Sequence, residues 1–114
     1  MSRAAGAAAE ALVAEWLRAR GWRILARNFT CKGGELDLVC DEAGTVVFVE
    51  VRARRSADYG APEETVGAVK RKRVVLAARH WLARHGGEDR ACRFDVIAVE
   101  DGRITHLPDA FGAS

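Results

Sequence analysis

A glutamate lies inside an apolar, valine-rich segment that spans residues 45–53. In an extended strand, residues two apart share a face and lie about 6.5–7 Å from each other. Glu50 therefore shares one face with Arg52, whereas Val49 and Val51 lie on the other face. Burying a carboxylate without a partner is costly. Either Arg52 and other donors neutralise Glu50, or a metal ion does.

A second carboxylate lies on the preceding segment. Residues 35–40 alternate between polar and apolar types, which predicts a strand, and Asp37 lies on its polar side. The sequence Asp-Glu-Ala-Gly that follows predicts a hairpin turn. A turn centred near Ala43 pairs position 37 with position 49, to within about one residue. We therefore expect Asp37 and Glu50 to be neighbours on one face of the sheet.

Two adjacent carboxylates raise each other's pKa, and a divalent cation relieves their repulsion. Hard cations take oxygen ligands, and Mg²⁺ keeps several waters, one of which can attack a phosphodiester. Glu10 lies at the edge of the apolar stripe of a predicted helix and can face the sheet. Glu35 shares a face with Asp37 and is a weaker candidate ligand. These carboxylates predict a site for Mg²⁺ or Mn²⁺.

The middle of the chain is basic. Residues 51–90 carry 10 basic and 5 acidic side chains, against 6 and 7 in residues 1–50 and 2 and 4 in residues 91–114. Such a cluster is typical of polyanion-binding surfaces, although charge alone leaves a solvated helix face equally open. The candidate phosphate-binding residues are Arg54, Arg55, Lys70, Lys72 and Arg73.

Hydrophobic periodicity predicts an α/β domain with the order α-β-β-β-α-β-β. Pro62 opens or precedes the second helix, whose apolar stripe includes Val69 and Val74. Because a meander of strands is followed by a crossover helix, we expect a mixed sheet with helices packed on it. The expected elements are helices over residues 3–20 and 62–85 and extended segments over 22–29, 35–40, 45–53, 94–99 and 103–107.

Length and composition exclude several classes of protein. With 114 residues, the chain suits one domain over residues 1–114. No segment approaches the ~20 apolar residues of a membrane span, and Glu10 and Glu15 interrupt the alanine-rich start where a signal peptide needs a long apolar run. The three cysteines match no zinc-binding spacing. We therefore expect a cytoplasmic protein without a membrane segment.

Three segments together resemble the YraN family: GELDLV at residues 34–39, VFVEVR at 47–52 and CRFDV at 92–96. The family comprises bacterial proteins assigned to the restriction-endonuclease-like fold and is similar to archaeal Holliday junction resolvases. The resemblance covers nearly the whole chain. It implies a PD-(D/E)xK nuclease-like domain that acts on branched or damaged DNA, selects DNA by its structure and forms a symmetric dimer with one site for each strand.

The resemblance also implies a role for each matching residue. Asp37 and Glu50 are the acidic metal ligands, the backbone carbonyl of Val51 completes the metal shell, and Glu10 matches the helix-borne glutamate of resolvase-like members. Arg52 stands where family members usually have lysine. Arginine keeps the charge but cannot lose a proton near neutral pH.

Three hypotheses remain open. The chain is a metal-dependent nuclease, a DNA-binding module that has lost turnover through Arg52, or a protein-interaction subunit in which Glu50 and Arg52 form only a structural ion pair. Only 3 of the 18 basic residues are lysine, so a bias toward arginine also explains Arg52. Lys70 or Lys72 of the second helix can fill the place of the missing lysine.

Overall fold

The computed structural model of the protein describes residues 3–54, 67–87 and 89–113. These residues form two helices and five strands in the predicted succession. The elements are α1 (Arg3–Ala19), β1 (Arg23–Cys31), β2 (Gly34–Glu42), β3 (Thr45–Arg54), α2 (Ala68–Arg84), β4 (Cys92–Glu100) and β5 (Arg103–Phe111). The α/β class is therefore confirmed, and β5 extends four residues beyond its predicted end.

The strands form one sheet in the order β1-β2-β3-β4-β5. β1, β2 and β3 are an antiparallel meander. α2 follows β3 and precedes β4, which runs parallel to β3, and β5 returns antiparallel to β4. The predicted mixed sheet is thus confirmed. Among the residues that the structure describes, no helix is long and apolar enough to cross a membrane.

β3 is buried on both faces because each helix covers one of them. Val46 and Phe48 pack in a cluster with buried residues of α2, including Trp81. Val47, Val49 and Val51 belong to a second cluster with α1, whose contributors are Ala9, Val13 and Leu17. Burial on both faces explains the nearly continuous valine run of this strand. The alternation also places Glu50, two residues after Phe48, on the face toward α2.

α2 begins later than its sequence pattern predicted. Gly67 has extended backbone angles (φ −74°, ψ 174°) and is the N-cap, so the helix does not run continuously from Pro62. Residues 55–66 lie outside the described residues. Val69 was expected on the apolar stripe but is 75% exposed. The buried stripe starts at Val74, and helical spacing leads back from there to Lys70 rather than to Val69.

Gly34 allows α2 to approach β2 closely. A Cβ atom at this position would lie 2.4 Å from the carbonyl oxygen of Arg73 and 3.1 Å from the Cβ of Ala77. The first of these atoms belongs to the helix backbone, so it cannot rotate away as a flexible side chain can. α2, and with it Lys70, therefore depends on glycine at residue 34 for its distance from the sheet.

Gly34→Ala is expected to lower the free energy of unfolding by about 1–3 kcal/mol, because α2 has to shift outward to make room for the methyl group. Urea denaturation followed by circular dichroism measures this difference. Gly112→Ala is the matched control, since a Cβ at residue 112 meets no atom within 4 Å. Equal urea midpoints for the two variants would contradict the proposed close approach.

The turn between β2 and β3 fixes their register. Ala43 and Gly44 both have positive φ angles, 50° and 96°, as in the two-residue turns that match the twist of a hairpin. Gly44 N–H also donates a hydrogen bond to Asp41 Oδ1 at 2.9 Å. Glu42 consequently pairs with Thr45, and the ladder continues as far as the pair Leu38 and Val49.

Candidate functional site

Asp37 lies where β2 and β3 stop pairing. The ladder between the strands ends at Leu38 and Val49, and continuing its register would place Asp37 opposite Glu50. Instead, Asp37 Oδ2 accepts a hydrogen bond from the backbone N–H of Val51 at 2.9 Å. A carboxylate oxygen thus takes the place of a backbone carbonyl as acceptor. This bond holds the Asp37 side chain at the point where the strands separate.

Glu50 is a buried carboxylate without a hydrogen-bond donor. Its side chain is 1% exposed, and neither carboxylate oxygen has a hydrogen-bond partner among the described residues. Lys70 Nζ lies 3.7 Å from Oε2. Burial raises the pKa of Glu50 well above its usual value; the charge of Asp37 and a hydrogen bond to it raise that pKa further, while Lys70 and Arg52 oppose these effects.

Glu50 has no hydrogen-bond donor in the described part of the chain, and yet a hydrogen bond with Asp37 raises its pKa. The two observations are consistent if Glu50 is protonated. Ionised carboxylates only accept hydrogen bonds, so Asp37 and Glu50 cannot bond to each other when both are charged. A protonated Glu50 can donate to Asp37. The predicted proximity of the two side chains is therefore confirmed. When both side chains are ionised, the positive charges of Lys70 and Arg52 do not offset the burial of Glu50 and its repulsion from Asp37.

A pocket of about 170 Å³ opens beside Asp37, between α1 and α2. It is large enough for several water molecules. Its lining comes from both helices and from the separated ends of β2 and β3. The lining residues are Gly6, Ala9, Glu10, Asp37, Val51, Arg52, Ala53 and Lys70. The structure thus brings five predicted site residues to one pocket: Glu10, Asp37, Val51, Arg52 and Lys70.

Glu10 enters this pocket from α1. Burial raises the pKa of the Glu10 carboxyl, and the negative charge of Asp37 adds to this effect. A hydrogen bond from the side chain of Asn28 and the charge of Arg27 act in the opposite direction. The expectation that Glu10 faces the sheet is confirmed, and its electrostatic contact with Asp37 joins it to the same acidic group.

The arrangement is not a preformed cage of carboxylates. Within the described part of the chain, no three side chains of the types His, Cys, Asp and Glu are grouped closely enough to hold a metal ion. Asp37 and Glu50 are adjacent, and Glu10 lines the pocket together with Asp37. Mg²⁺ commonly binds through only one or two carboxylates and keeps several waters. The oxygen-rich donor set therefore suits a hydrated Mg²⁺ or Mn²⁺.

One cation from β3 and one from α2 lie beside the acidic side chains. Arg52 lies two residues after Glu50 on β3 and lines the pocket. Lys70 reaches the same pocket from the first turn of α2. Lys72 is exposed to solvent and does not line the pocket. Of the two lysines considered from the sequence, Lys70 is the one placed beside Glu50.

Glu35 pairs with two cations of α2. Its Oε1 accepts hydrogen bonds from Lys70 Nζ at 3.0 Å and from Arg73 Nε at 3.2 Å, and its Oε2 accepts one from Arg73 Nη2 at 2.6 Å. These contacts, led by the hydrogen bond from Arg73, lower the pKa of Glu35 to about 2. Glu35 is therefore an ion-pair partner of α2, whereas the sequence made it a weaker candidate than Asp37 for binding a metal.

The described candidates for phosphate binding have different surroundings in the structure. Lys70 lines the pocket and Arg73 binds Glu35 at its edge. Arg54 ends β3 and is partly buried. Lys72 points into solvent on α2, and Arg55 lies outside the described residues. Lys70 and Arg73 are thus two described candidates that lie side by side near the pocket.

Asp95 of β4 is the centre of a hydrogen-bond network. Asp95 is completely buried. Its carboxylate accepts hydrogen bonds from Arg93 Nε at 2.9 Å, from His106 Nε2 at 2.7 Å and from the backbone N–H of Asp109 at 2.9 Å. His106 is assigned here as the donor, since Asp95 can only accept when ionised. Asp95 is not among the residues that line the pocket.

His106 is enclosed by aromatic rings. Its ring packs edge-on against Trp16 and Trp22, with centroid distances of 5.9 and 5.6 Å, and Arg93 lies over Trp22. The network therefore joins β4 and β5 to the end of α1. Reading it from sequence would require the register of the β4–β5 hairpin, which is shifted between Phe94 and Val96.

Comparison with known proteins gives a consistent family. A 53% identical relative, a UPF0102 protein of Anaeromyxobacter dehalogenans, aligns over 95% of this chain and 84% of its own length. The UPF0102 protein RSc3265 of Ralstonia nicotianae is 52% identical over 96% of this chain and 87% of its own. STH1475 of Symbiobacterium thermophilum is 49% identical, with 91% of each chain covered. The sequence model of Uncharacterised protein family UPF0102 matches residues 9–99, and the chain accordingly belongs to this family, which confirms the resemblance to YraN.

Proposed function

We propose that the protein is a metal-dependent endonuclease of the restriction-endonuclease-like, PD-(D/E)xK class, which hydrolyses phosphodiester bonds in branched or damaged DNA. The observation that carries the proposal is the Glu50 carboxylate, buried beside Asp37 without a hydrogen-bond donor among the described residues. A purely structural carboxylate is normally satisfied by donors, as Asp95 is here. An unsatisfied carboxylate next to a second carboxylate that lines a pocket is instead typical of a site that binds a cation.

Asp37 and Glu50 would hold Mg²⁺ or Mn²⁺, with the backbone carbonyl of Val51 as a further oxygen ligand. Glu10, which lines the same pocket, would bind or orient the metal-bound waters. When bound, the metal supplies an activated water and stabilises charge on the scissile phosphate. The Val51 N–H keeps Asp37 in place, so that the ligand is positioned before the metal arrives.

The cations at the pocket act on the phosphate. Arg52 adds a permanent positive charge that stabilises the developing negative charge on the phosphorane. Lys70, 26% exposed at the pocket, contributes a second charge. Arg54, Arg55, Lys72 and Arg73 would contact the backbone beyond the scissile bond. Contacts of this kind carry no base information, so the recognition is by DNA structure rather than by sequence.

A second function deserves its own test because Arg52 replaces the usual lysine. Arginine cannot act as a base near neutral pH, so the domain can retain DNA binding and metal binding without turnover. In that case Asp37, Glu50 and the basic residues serve recognition alone.

For a junction-resolving enzyme, a symmetric dimer would supply one pocket for each cut strand.

The test is cleavage of labelled four-way-junction, flap and linear DNA in the presence of Mg²⁺, Mn²⁺ or EDTA. We expect metal-dependent cutting of the branched DNA by the natural protein. Asp37→Asn, which keeps an acceptor for the Val51 N–H, is expected to reduce the rate by about 10²–10³-fold. Asp89→Asn is the matched control, since Asp89 is exposed and remote in sequence from the pocket residues.

Arg52→Lys on the same gel separates the two functions. Cutting by the natural protein establishes that arginine suffices at residue 52. Cutting only after Arg52→Lys would identify the protein as a binding module. No cutting by either form, together with no retention of DNA at low salt, would refute both functions and favour a protein-interaction subunit.

A further inference from the structure

The Glu35 carboxylate is held by the two cations that the proposed function assigns to DNA. Lys70 Nζ and Arg73 Nη2 lie 3.0 and 2.6 Å from its oxygens, and Arg73 Nε completes a two-pronged contact at 3.2 Å. The three residues come from β2 and α2, which Gly34 keeps in close contact. The side chains thus form a closed ionic group at the rim of the pocket.

This group has the chemistry of an anion-binding site. Two oxygens of a carboxylate and two oxygens of a phosphodiester present similar edges to a guanidinium, and arginine binds both through two parallel hydrogen bonds. Glu35, Arg73 and Lys70 are 33%, 45% and 26% exposed, so a ligand from solvent can reach all three. Lys70 also lines the pocket with Asp37, which places the anion site next to the proposed metal ligands.

We propose that Glu35 is an internal competitor of the DNA backbone: in the free protein it occupies an anion site formed by Lys70 and Arg73, and a phosphate of the bound DNA displaces it. This inference rests on the proposed function, which supplies the DNA. Partly exposed ion pairs contribute little net stability, so exchanging the carboxylate for a phosphate is nearly balanced. Weak contacts from isolated phosphates are rejected, whereas DNA that makes further contacts overcomes the competition.

The exchange also affects the strand that carries Asp37. Glu35 precedes Asp37 by two residues on β2, so the residue that would give up its cations to DNA and the residue that would bind the metal lie on the same short segment. Until then Lys70 and Arg73 stay paired with Glu35, whose single negative charge offsets one of their two positive charges. The free protein consequently presents less positive charge at the pocket than its sequence indicates.

The first experiment compares Glu35→Gln with Glu15→Gln. Both remove one negative charge; Glu15 is paired with Arg18 on α1 and not with α2. Fluorescence anisotropy with a labelled four-way junction in EDTA measures affinity between 50 and 200 mM NaCl. Glu35→Gln is expected to bind about three- to tenfold more tightly at low salt, with a salt slope steeper by about 1–2. Glu15→Gln is expected to change affinity less than about twofold.

A weaker or unchanged affinity of Glu35→Gln overturns the inference, because Glu35 would then orient Lys70 and Arg73 or be irrelevant to them. The double variant Glu35→Gln/Arg73→Gln checks the mechanism. It is expected to lose the gain in affinity, whereas a gain that persists without Arg73 contradicts the proposed site. Thermal denaturation of each variant identifies any loss of folding.

Inorganic phosphate tests the anion site without DNA. The Nε–H resonance of Arg73 is followed by NMR as phosphate is added. It is expected to shift at lower phosphate concentration in Glu35→Gln than in the natural protein, and identical titrations overturn the inference. A shift in the variant, combined with no DNA binding by any form, would support the anion site and reject the proposed function. DNA cutting with identical phosphate titrations would support the function and reject the competition.

Discussion

Glu50→Gln is expected to raise the free energy of unfolding at pH 7 by about 1–3 kcal/mol and at the same time to abolish cleavage. The natural carboxylate is 1% exposed, close to Asp37 and without a hydrogen-bond donor among the described residues. Gln has nearly the same shape but no charge to desolvate, and its amide can donate permanently to Asp37. Stability and activity therefore change in opposite directions.

The raised pKa of Glu50 determines how the stability difference between Glu50→Gln and the natural protein changes with pH. The pKa of Glu50 is raised in the folded protein, chiefly by burial and next by the charge of Asp37. Below the usual pKa of about 4.5 the carboxyl is protonated in both folded and unfolded chains, so natural protein and variant differ little there. As the pH rises above that value, ionisation favours the unfolded natural chain, and the advantage of Glu50→Gln grows until the folded pKa is passed.

Urea denaturation from pH 4 to 8 measures the difference in free energy between Glu50→Gln and the natural protein. Glu42→Gln is a suitable control because the Glu42 side chain is 39% exposed. Mg²⁺ is expected to raise the melting temperature of the natural protein and not that of Glu50→Gln. A destabilised Glu50→Gln would show that Glu50 is a satisfied structural group, and the case for a metal site would fail with it.

Asp95→Ala is expected to have the largest effect on stability, a loss of about 3–5 kcal/mol. The substitution leaves the buried N–H of Asp109 without its acceptor and removes the carboxylate that faces Arg93 and His106. Arg93, whose side chain is 24% exposed, then keeps among the described residues only its ion pair with Glu42, and breaking a partly buried ion pair is unfavourable. The loss extends to the packing of His106 against Trp16, since the ring is no longer anchored.

Thermal and urea denaturation measure this loss, with Asp89→Ala as the exposed control. Asp95→Asn is expected to lie between the two, because the amide oxygen still accepts a hydrogen bond but the charge is absent. Wild-type stability in Asp95→Ala would mean that the network around Asp95 is dispensable. DNA affinity, compared at a temperature where both proteins are folded, is expected to be unchanged, because Asp95 does not line the pocket.

The sequence predicted the parts of the site that depend on local geometry. Asp37 and Glu50 lie on two strands joined by a short turn, so period-two alternation and the length of the turn were sufficient to bring them together to within one residue. Glu10 was placed by the helical period of α1. Each of these relations involves one element or two consecutive elements, for which spacing in the sequence determines spacing in the structure.

Contacts between distant elements were not predictable in this way. Glu35 binds Arg73, 38 residues later, and the contact depends on how α2 lies across β2 at Gly34. The network of Asp95 depends on a register shift within the β4–β5 pair and on the left-handed backbone of Asp109. The start of α2 was misplaced because Pro62 is typical of a first helical turn, whereas the helix begins at Ala68 with Gly67 as its N-cap.

The two-residue turn at Ala43 and Gly44 limits how the hairpin can vary among homologues. It begins six residues after Asp37, or about 20 Å along the strand, and neither of its residues lines the pocket. An insertion of one residue there would slide β2 against β3 and exchange the faces of Asp37 and Leu38. Homologues that lengthen this turn by an odd number of residues must therefore carry a compensating bulge. The position of Asp37 in the pocket thus limits which insertions and deletions this distant turn can accept.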